Sequence, residues 1–164
     1  MNSNEQLYLK FTSLSGIRTR EAIASFNLII QLSKENRLSE YFNKDLQCLE
    51  HFKFKDLFIR DTKNVYVTFI REDLISQITN SEPVTYYAIQ KRLMKAGLKM
   101  RFNELRDNFA TFTVRHGLIK EETDILQGRI GNSIFMRNYF SPGLKELRDR
   151  TLKAVEELQQ QYTQ

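Results

Sequence analysis

Apolar residues recur at helical offsets through residues 6–14, break at Ser13-Leu14-Ser15-Gly16, and resume from Ile17 to about Ser33, where Ala22, Phe26, Ile29 and Ile30 share one face. Two helices joined by a glycine turn are predicted. Between Gln47 and Phe69 the period changes: the runs CLEHFKFKDLFI and VYVTFI flank the polar stretch Arg60-Asp61-Thr62-Lys63-Asn64. β-Branched and aromatic residues on either side of a polar turn predict a small antiparallel hairpin or three-stranded sheet. Pro83 opens the next predicted helix, on which Tyr87, Leu93, Met94 and Leu98 line up as a buried stripe. From Phe102 onward the pattern is helical almost throughout, in segments 103–115, 119–127, 132–138 and 144–161, with breaks at Gly117, Gly128, Gly131 and Pro142-Gly143. The last segment carries Leu144, Leu147, Thr151, Ala154 and Leu158 on one stripe, suited to its own domain or to a neighbouring copy. The resulting fold class is mainly α with a small antiparallel β-sheet (α+β), in a single domain over residues 1–164, without internal repeats or linkers.

Composition narrows the picture. The chain has 164 residues, 41% of them hydrophobic, with 6 Gly, 2 Pro and no Trp, which excludes a disordered or low-complexity chain and supports one core. No run approaches the apolar length of a membrane span, so no membrane partner is expected. The N-terminal residues lack the layout of a secretory signal. Cys48 is the single cysteine, with no partner for a disulfide or a zinc site. An intracellular setting is expected. The net charge of +5 and a pI near 9.3 favour anionic partners only modestly, so the placement of the arginines decides the matter.

Three segments carry candidate chemistry. In Ser15-Gly16-Ile17-Arg18-Thr19-Arg20-Glu21-Ala22 a turn glycine delivers an arginine to the start of a helix, and a glutamate follows three residues later. Its plainer reading is a helix start with a Ser/Glu capping pair. In Leu105-Arg106-Asp107-Asn108-Phe109-Ala110-Thr111 an arginine heads an amphipathic helix whose Phe109 and Phe112 read as core. The third is Leu126-Gln127-Gly128-Arg129, followed by Ile134-Phe135-Met136-Arg137-Asn138-Tyr139.

The order Gly-Ile-Arg, Leu-Arg-x-x-Phe-Ala-Thr, Gly-Arg and Tyr, with Arg106 23 residues before Arg129 and 33 before Tyr139, resembles the catalytic domain of the tyrosine recombinase (phage integrase) family. Within it the chain is most similar to the archaeal integrases of spindle-shaped viruses and integrative plasmids, where Gln-Gly-Arg stands in place of Leu-Gly-His. The resemblance spans roughly residues 11–158. It implies the recombinase catalytic fold, with Arg18 and Arg106 as the two catalytic arginines, Tyr139 as nucleophile, Arg129 at the usual His or Trp position, and Lys63 as the β-hairpin lysine. Asn103 stands where the family has His or Lys three residues before the second arginine, and the Arg129-to-Tyr139 interval of 10 residues is about one longer than in bacterial relatives. The resemblance further implies double-stranded DNA as partner, a tetramer on DNA, and a longer parent with a separate N-terminal DNA-clamping domain.

Chemistry explains the set. Guanidiniums from Arg18 and Arg106 suit the non-bridging oxygens of a phosphodiester, where charge builds in a pentacoordinate transition state. Arg129 adds a third charge-assisted contact. Tyr139 attacks to give a 3′-phosphotyrosyl enzyme that conserves bond energy, while Lys63 protonates the leaving 5′-oxygen. No metal, ATP or other cofactor is required. No base for the phenol is evident, the histidines being His51 and His116.

Each residue also has an ordinary reading. Lys63 suits a solvated turn, Arg129 an ion pair with Glu121 or Asp124, and Tyr139 a core position beside Phe135 and Phe140. His116 fits a helix-end cap, His51 a structural role and Cys48 the core. A looser basic set, Arg20, Lys91, Arg92, Lys95, Lys99 and Arg101, with Tyr86 and Tyr87 nearby, suits a phosphate track or ordinary solvated helix faces. Two rival functions remain: a type IB topoisomerase-like activity, and a non-catalytic DNA-binding module, which Asn103 favours.

Overall fold

The computed structural model describes residues 3–60, 63–129 and 143–162. It is mainly helical with a small antiparallel sheet. Helix α1 (Ser3–Ser15) and helix α2 (Thr19–Lys34) are joined at Gly16, and a short 3-10 turn leads into strand β1 (Phe42–Asn43). Strand β2 (Cys48–Glu50), a four-residue helix α3 (Lys55–Phe58), strands β3 (Ile59–Arg60), β4 (Lys63–Asn64) and β5 (Val67–Phe69) follow. The remaining helices are α4 (Glu72–Thr79), α5 (Tyr86–Lys95), α6 (Phe102–Arg115), α7 (Lys120–Leu126) and α8 (Gly143–Gln161).

The strands divide into two ribbons. β1, β2 and β5 form a three-stranded antiparallel sheet, and β3–β4 form a separate hairpin with Ile59 opposite Asn64 and Arg60 opposite Lys63. The alternating His51-Phe52-Lys53-Phe54 stretch is not a strand. It folds into a 3-10 turn because His51 is drawn wholly into the core, where its ring nitrogens meet the Tyr41 hydroxyl at 2.8 Å and the Thr68 hydroxyl at 2.7 Å. Tyr41 also donates to Ser25 of α2, at 2.9 Å, and the His51 ring lies against Phe58. Burial holds the His51 imidazole down to about 3, so it is neutral and structural.

Helix α1 lies at the centre, packed on α2, α4, α6 and α8. Tyr8 and Phe11 of α1 set their rings edge-on to Phe26 of α2, which joins the two helices through a dense aromatic contact. The α8 stripe of Leu147, Thr151, Ala154 and Leu158, joined by Val155, is buried against its own chain, with Leu144 partly buried. Cys48 is buried and its thiol is pushed up to about 12, as expected for an inert core cysteine.

The helix after Pro83 differs from its prediction in two ways. It starts at Tyr86, capped by Thr85, whose Oγ1 accepts from the Ala88 amide at 3.2 Å. Pro83 instead belongs to an extended lead-in, fastened where Asn27 and Val84 exchange two 2.9 Å hydrogen bonds. The buried stripe is Ile89 and Leu93, whereas Tyr87, Met94 and Leu98 are exposed. Among the described residues no helix is long and apolar enough to cross a membrane.

Candidate functional site

Two glycine turns assemble the site. Gly16 ends α1 with φ +64°, and a Cβ there would stand 2.2 Å from the Phe109 ring of α6. Because Phe109 lies one turn beyond Arg106, this contact draws the head of α2, with Arg18 at its N-cap, against the Arg106 face of α6. Gly128 ends α7 in a left-handed turn at φ +63°, where its amide bonds Ile125 O at 3.0 Å and the Arg129 amide bonds Asp124 O at 2.8 Å. A Cβ on Gly128 would meet the Asn64 carbonyl oxygen at 2.6 Å, so the turn that carries Arg129 rests directly on the β3–β4 hairpin.

Gln127 is the hub between these turns. Its carbonyl accepts from Arg106 Nη2 at 2.9 Å and from Arg18 Nη1 at 3.4 Å, while its fully buried side chain donates Nε2–H to Arg106 O at 2.8 Å. The two guanidiniums therefore converge on one oxygen. Both feel Arg129 electrostatically, and the Arg129 guanidinium stands 3.3 Å from Asp124, one of the two partners its ordinary reading names. Arg60 joins from the hairpin through an ion pair with the wholly buried Glu21 and acts electrostatically on Arg18.

Among these arginines Arg106 is the buried one, while Arg18 is partly buried and Arg60 and Arg129 have carboxylate partners. Arg106, 6% exposed, is pushed down to about 10 by burial first, then by Arg18 and Arg129, with Glu21 and Asp107 opposing. Arg18 is lowered as well, by burial foremost, with Glu21 countering and Arg60 and Arg129 adding to the fall. Among the described residues Arg106 Nε, Arg60 Nε and Glu21 Oε2 are buried without a hydrogen-bond partner. A buried guanidinium that neighbouring cations repel and that keeps a donor unused has the charge and hydrogen-bonding capacity to attract an anion.

Among the described residues each sequence candidate has a definite place. Arg18, Arg106 and Arg129 come together. Lys63 is exposed on β4, directly opposite Arg60, so both side chains leave the same face of the ribbon. Asn103 is exposed on the first turn of α6, three residues before Arg106. Tyr139, with Phe135, Phe140 and segment 132–138, lies outside the described residues. Ser15 and Glu21 do not form a capping pair: the Ser15 hydroxyl donates to Thr12 O at 3.2 Å, and Glu21 turns to Arg60. His116 caps α6 by contacting Phe112 O at 2.7 Å.

Most of the looser basic set lies around two hollows that share Gln90 and Met94. Lys99, Arg101 and Asn103 line a groove of about 900 Å³ together with Thr19, Tyr86 and Met94. Lys91 and Lys95 line a second hollow, and the Lys91 ammonium sits 5.8 Å from the centre of the Tyr87 ring. Arg92 reaches Glu5 at 3.5 Å and Arg20 is exposed. Among the described residues no cluster of three His, Cys, Asp or Glu side chains is placed to hold a metal ion.

Gln127 and Arg60 are the residues that sequence reasoning left without a role of their own, and Glu21 had only a capping one. For Arg60 a signal existed: pairing the predicted strands across a two-residue turn sets it opposite Lys63. Comparison of the chain with family models, curated proteins and solved structures finds no match.

Proposed function

We propose that the chain is the catalytic domain of a tyrosine site-specific recombinase, which cleaves and rejoins double-stranded DNA through a phosphotyrosyl intermediate. The observation that supports this reading best is the meeting of Arg18 and Arg106 on the Gln127 carbonyl, beside Arg129 and the Lys63 hairpin. That residues far apart in sequence, singled out by one ordered motif set, lie near one another supports a shared role in gripping a phosphate. In the reaction the guanidiniums clamp the scissile phosphate, Tyr139 Oη forms a bond to phosphorus, and the P–O5′ bond breaks as Lys63 gives its proton to the leaving oxygen. The phenolic proton passes to water. The arginines supply the charge stabilisation, so the step needs no cofactor. On this reading the protein works on DNA inside a cell, and a full-length parent with a DNA-clamping domain assembles as a tetramer across two duplexes.

Asn103 favours a second reading, a DNA-binding module without turnover, since an amide neither gives nor takes a proton readily at the position of a His or Lys. One assay separates the two. A pool of nicked duplexes with randomised sequence about the nick, in EDTA, is expected to yield a covalent protein–DNA adduct on a denaturing gel, lost in Tyr139→Phe. No adduct from the pool would overturn the recombinase reading. With a sequence recovered from the pool, exchange between paired sites distinguishes recombination from topoisomerase-like relaxation.

A further inference from the structure

Arg60 has no part in the chemistry just described, yet it holds the most buried carboxylate of the site. Glu21 is fully buried, and Arg60 is the ion-pair partner that the described structure gives it. Arg60 also stands directly across the ribbon from Lys63, and its amide donates to Asn64 Oδ1 at 2.8 Å. The ribbon itself comprises two residue pairs. A hairpin this short does not hold its own position in water. It must be tethered: at its base Phe58 and Val65, joined by a 3.1 Å backbone bond, are buried in the core, while nearer its tip the Asn64 carbonyl lies against Gly128 and Arg60 reaches Glu21 on α2.

We infer that Arg60 is a positioning residue for proton transfer: held by Glu21, it fixes the hairpin that carries Lys63 against the helix head that carries Arg18. The inference rests on the recombinase reading. In the cleavage step the Tyr139 Oη–phosphorus bond forms, the P–O5′ bond breaks, and the Lys63 ammonium delivers its proton to O5′. That delivery needs hydrogen-bond geometry between a lysine on the hairpin and a phosphate gripped by Arg18 and Arg106. Arg60 is the side chain that couples the two frames, because Glu21 follows Arg18 by one helical turn. Freed of Arg60, the hairpin leaves the phosphate clamp intact but the proton donor misplaced.

Replacing the bridging 5′-oxygen of the substrate by sulfur provides a readout that a merely structural role would not move. A thiolate leaves without a proton, so any step lost through proton delivery is restored on that substrate. Arg60→Gln is expected to slow single-turnover adduct formation on the oxygen substrate by about tenfold to 100-fold, the cost of a misplacement near 1 Å. On the sulfur substrate it regains the rate of the unsubstituted chain, as does Lys63→Ala, while Arg106→Gln stays slow on both. Glu21→Gln follows Arg60→Gln, and Arg60→Lys recovers part of the oxygen rate. These two carry the comparison if Arg60→Gln does not melt cooperatively. Equal slowing of Arg60→Gln on both substrates, or no slowing on either, would overturn the inference alone. Failure of the unsubstituted chain to form an adduct on either substrate would overturn the recombinase reading, and the inference with it.

Discussion

Gly128 has a backbone carbonyl, not a side chain, where its Cβ would fall, so no rotamer change relieves the contact. With φ at +63° the position is also strained for any L side chain. Gly128→Ala is therefore expected to cost about 1–3 kcal/mol and to lower the melting temperature by several degrees. Thermal unfolding checks this, and an unchanged midpoint would show that the turn and hairpin are not packed as described. Arg106 presents the opposite balance. Its guanidinium is buried, repelled by two neighbours and left with an unused donor, so Arg106→Gln is expected to leave the melting temperature unchanged or raised. The same change is expected to slow adduct formation by about 100-fold or more, the usual loss when one charge-stabilising donor is removed. A large fall in melting temperature would mark the side chain as packing instead. The arginines were legible in the sequence through the ordered motifs that resemble the recombinase family; the turn glycines and the helix head by themselves read equally well as ordinary helix starts. Gln127 was not, because its main contribution is a backbone carbonyl, for which side-chain identity carries no signal.

Among the elements, the His51 turn links the sheet to α2 and the hairpin. Unfolded, the imidazole takes its proton near 6.5; folded, it resists down to about 3, so the unfolded chain binds the extra proton across that interval. The stability from this group is complete above about pH 6.5 and declines as pH falls toward 3, at up to about 1.4 kcal/mol per pH unit. His51→Phe is expected to flatten the urea-unfolding profile between pH 4 and 6 relative to the unsubstituted chain; parallel profiles would contradict the assignment. The same element shows why sequence reading went astray there. Alternating aromatics and lysines satisfy a strand template, and only the partners of one buried ring turn the segment aside. On α5 the predicted stripe of Tyr87, Leu93, Met94 and Leu98 is buried at Leu93, with Ile89 one turn before it in place of the others. Periodicity alone does not choose the phase of a helix this polar; the tie between Asn27 and Val84 fastens the segment that leads into it.

At the scale of the whole molecule, the core is built around α1, and α8 closes it by burying Leu147, Ala154, Val155 and Leu158. Deleting residues 144–164 is expected to abolish the cooperative calorimetric transition, since the partner surface on α1 and α6 would be left bare. A truncated chain that still melts cooperatively would mean that the helix serves a neighbouring copy. The mixed, mainly helical class was legible because long periodic segments dominate the chain. The site was legible only as a sequence order; that its arginines meet depends on two glycine turns whose packing no local pattern reveals. The central claim is that this cationic pocket activates a phosphate for attack by Tyr139. The most direct measurement is mass spectrometry of the EDTA-trapped adduct after nuclease and trypsin. The account predicts nucleotide mass on the peptide Asn138-Tyr139-Phe140-Ser141-Pro142-Gly143-Leu144-Lys145, with the modification on Tyr139. Nucleotide mass on any other residue, or on none, would contradict it.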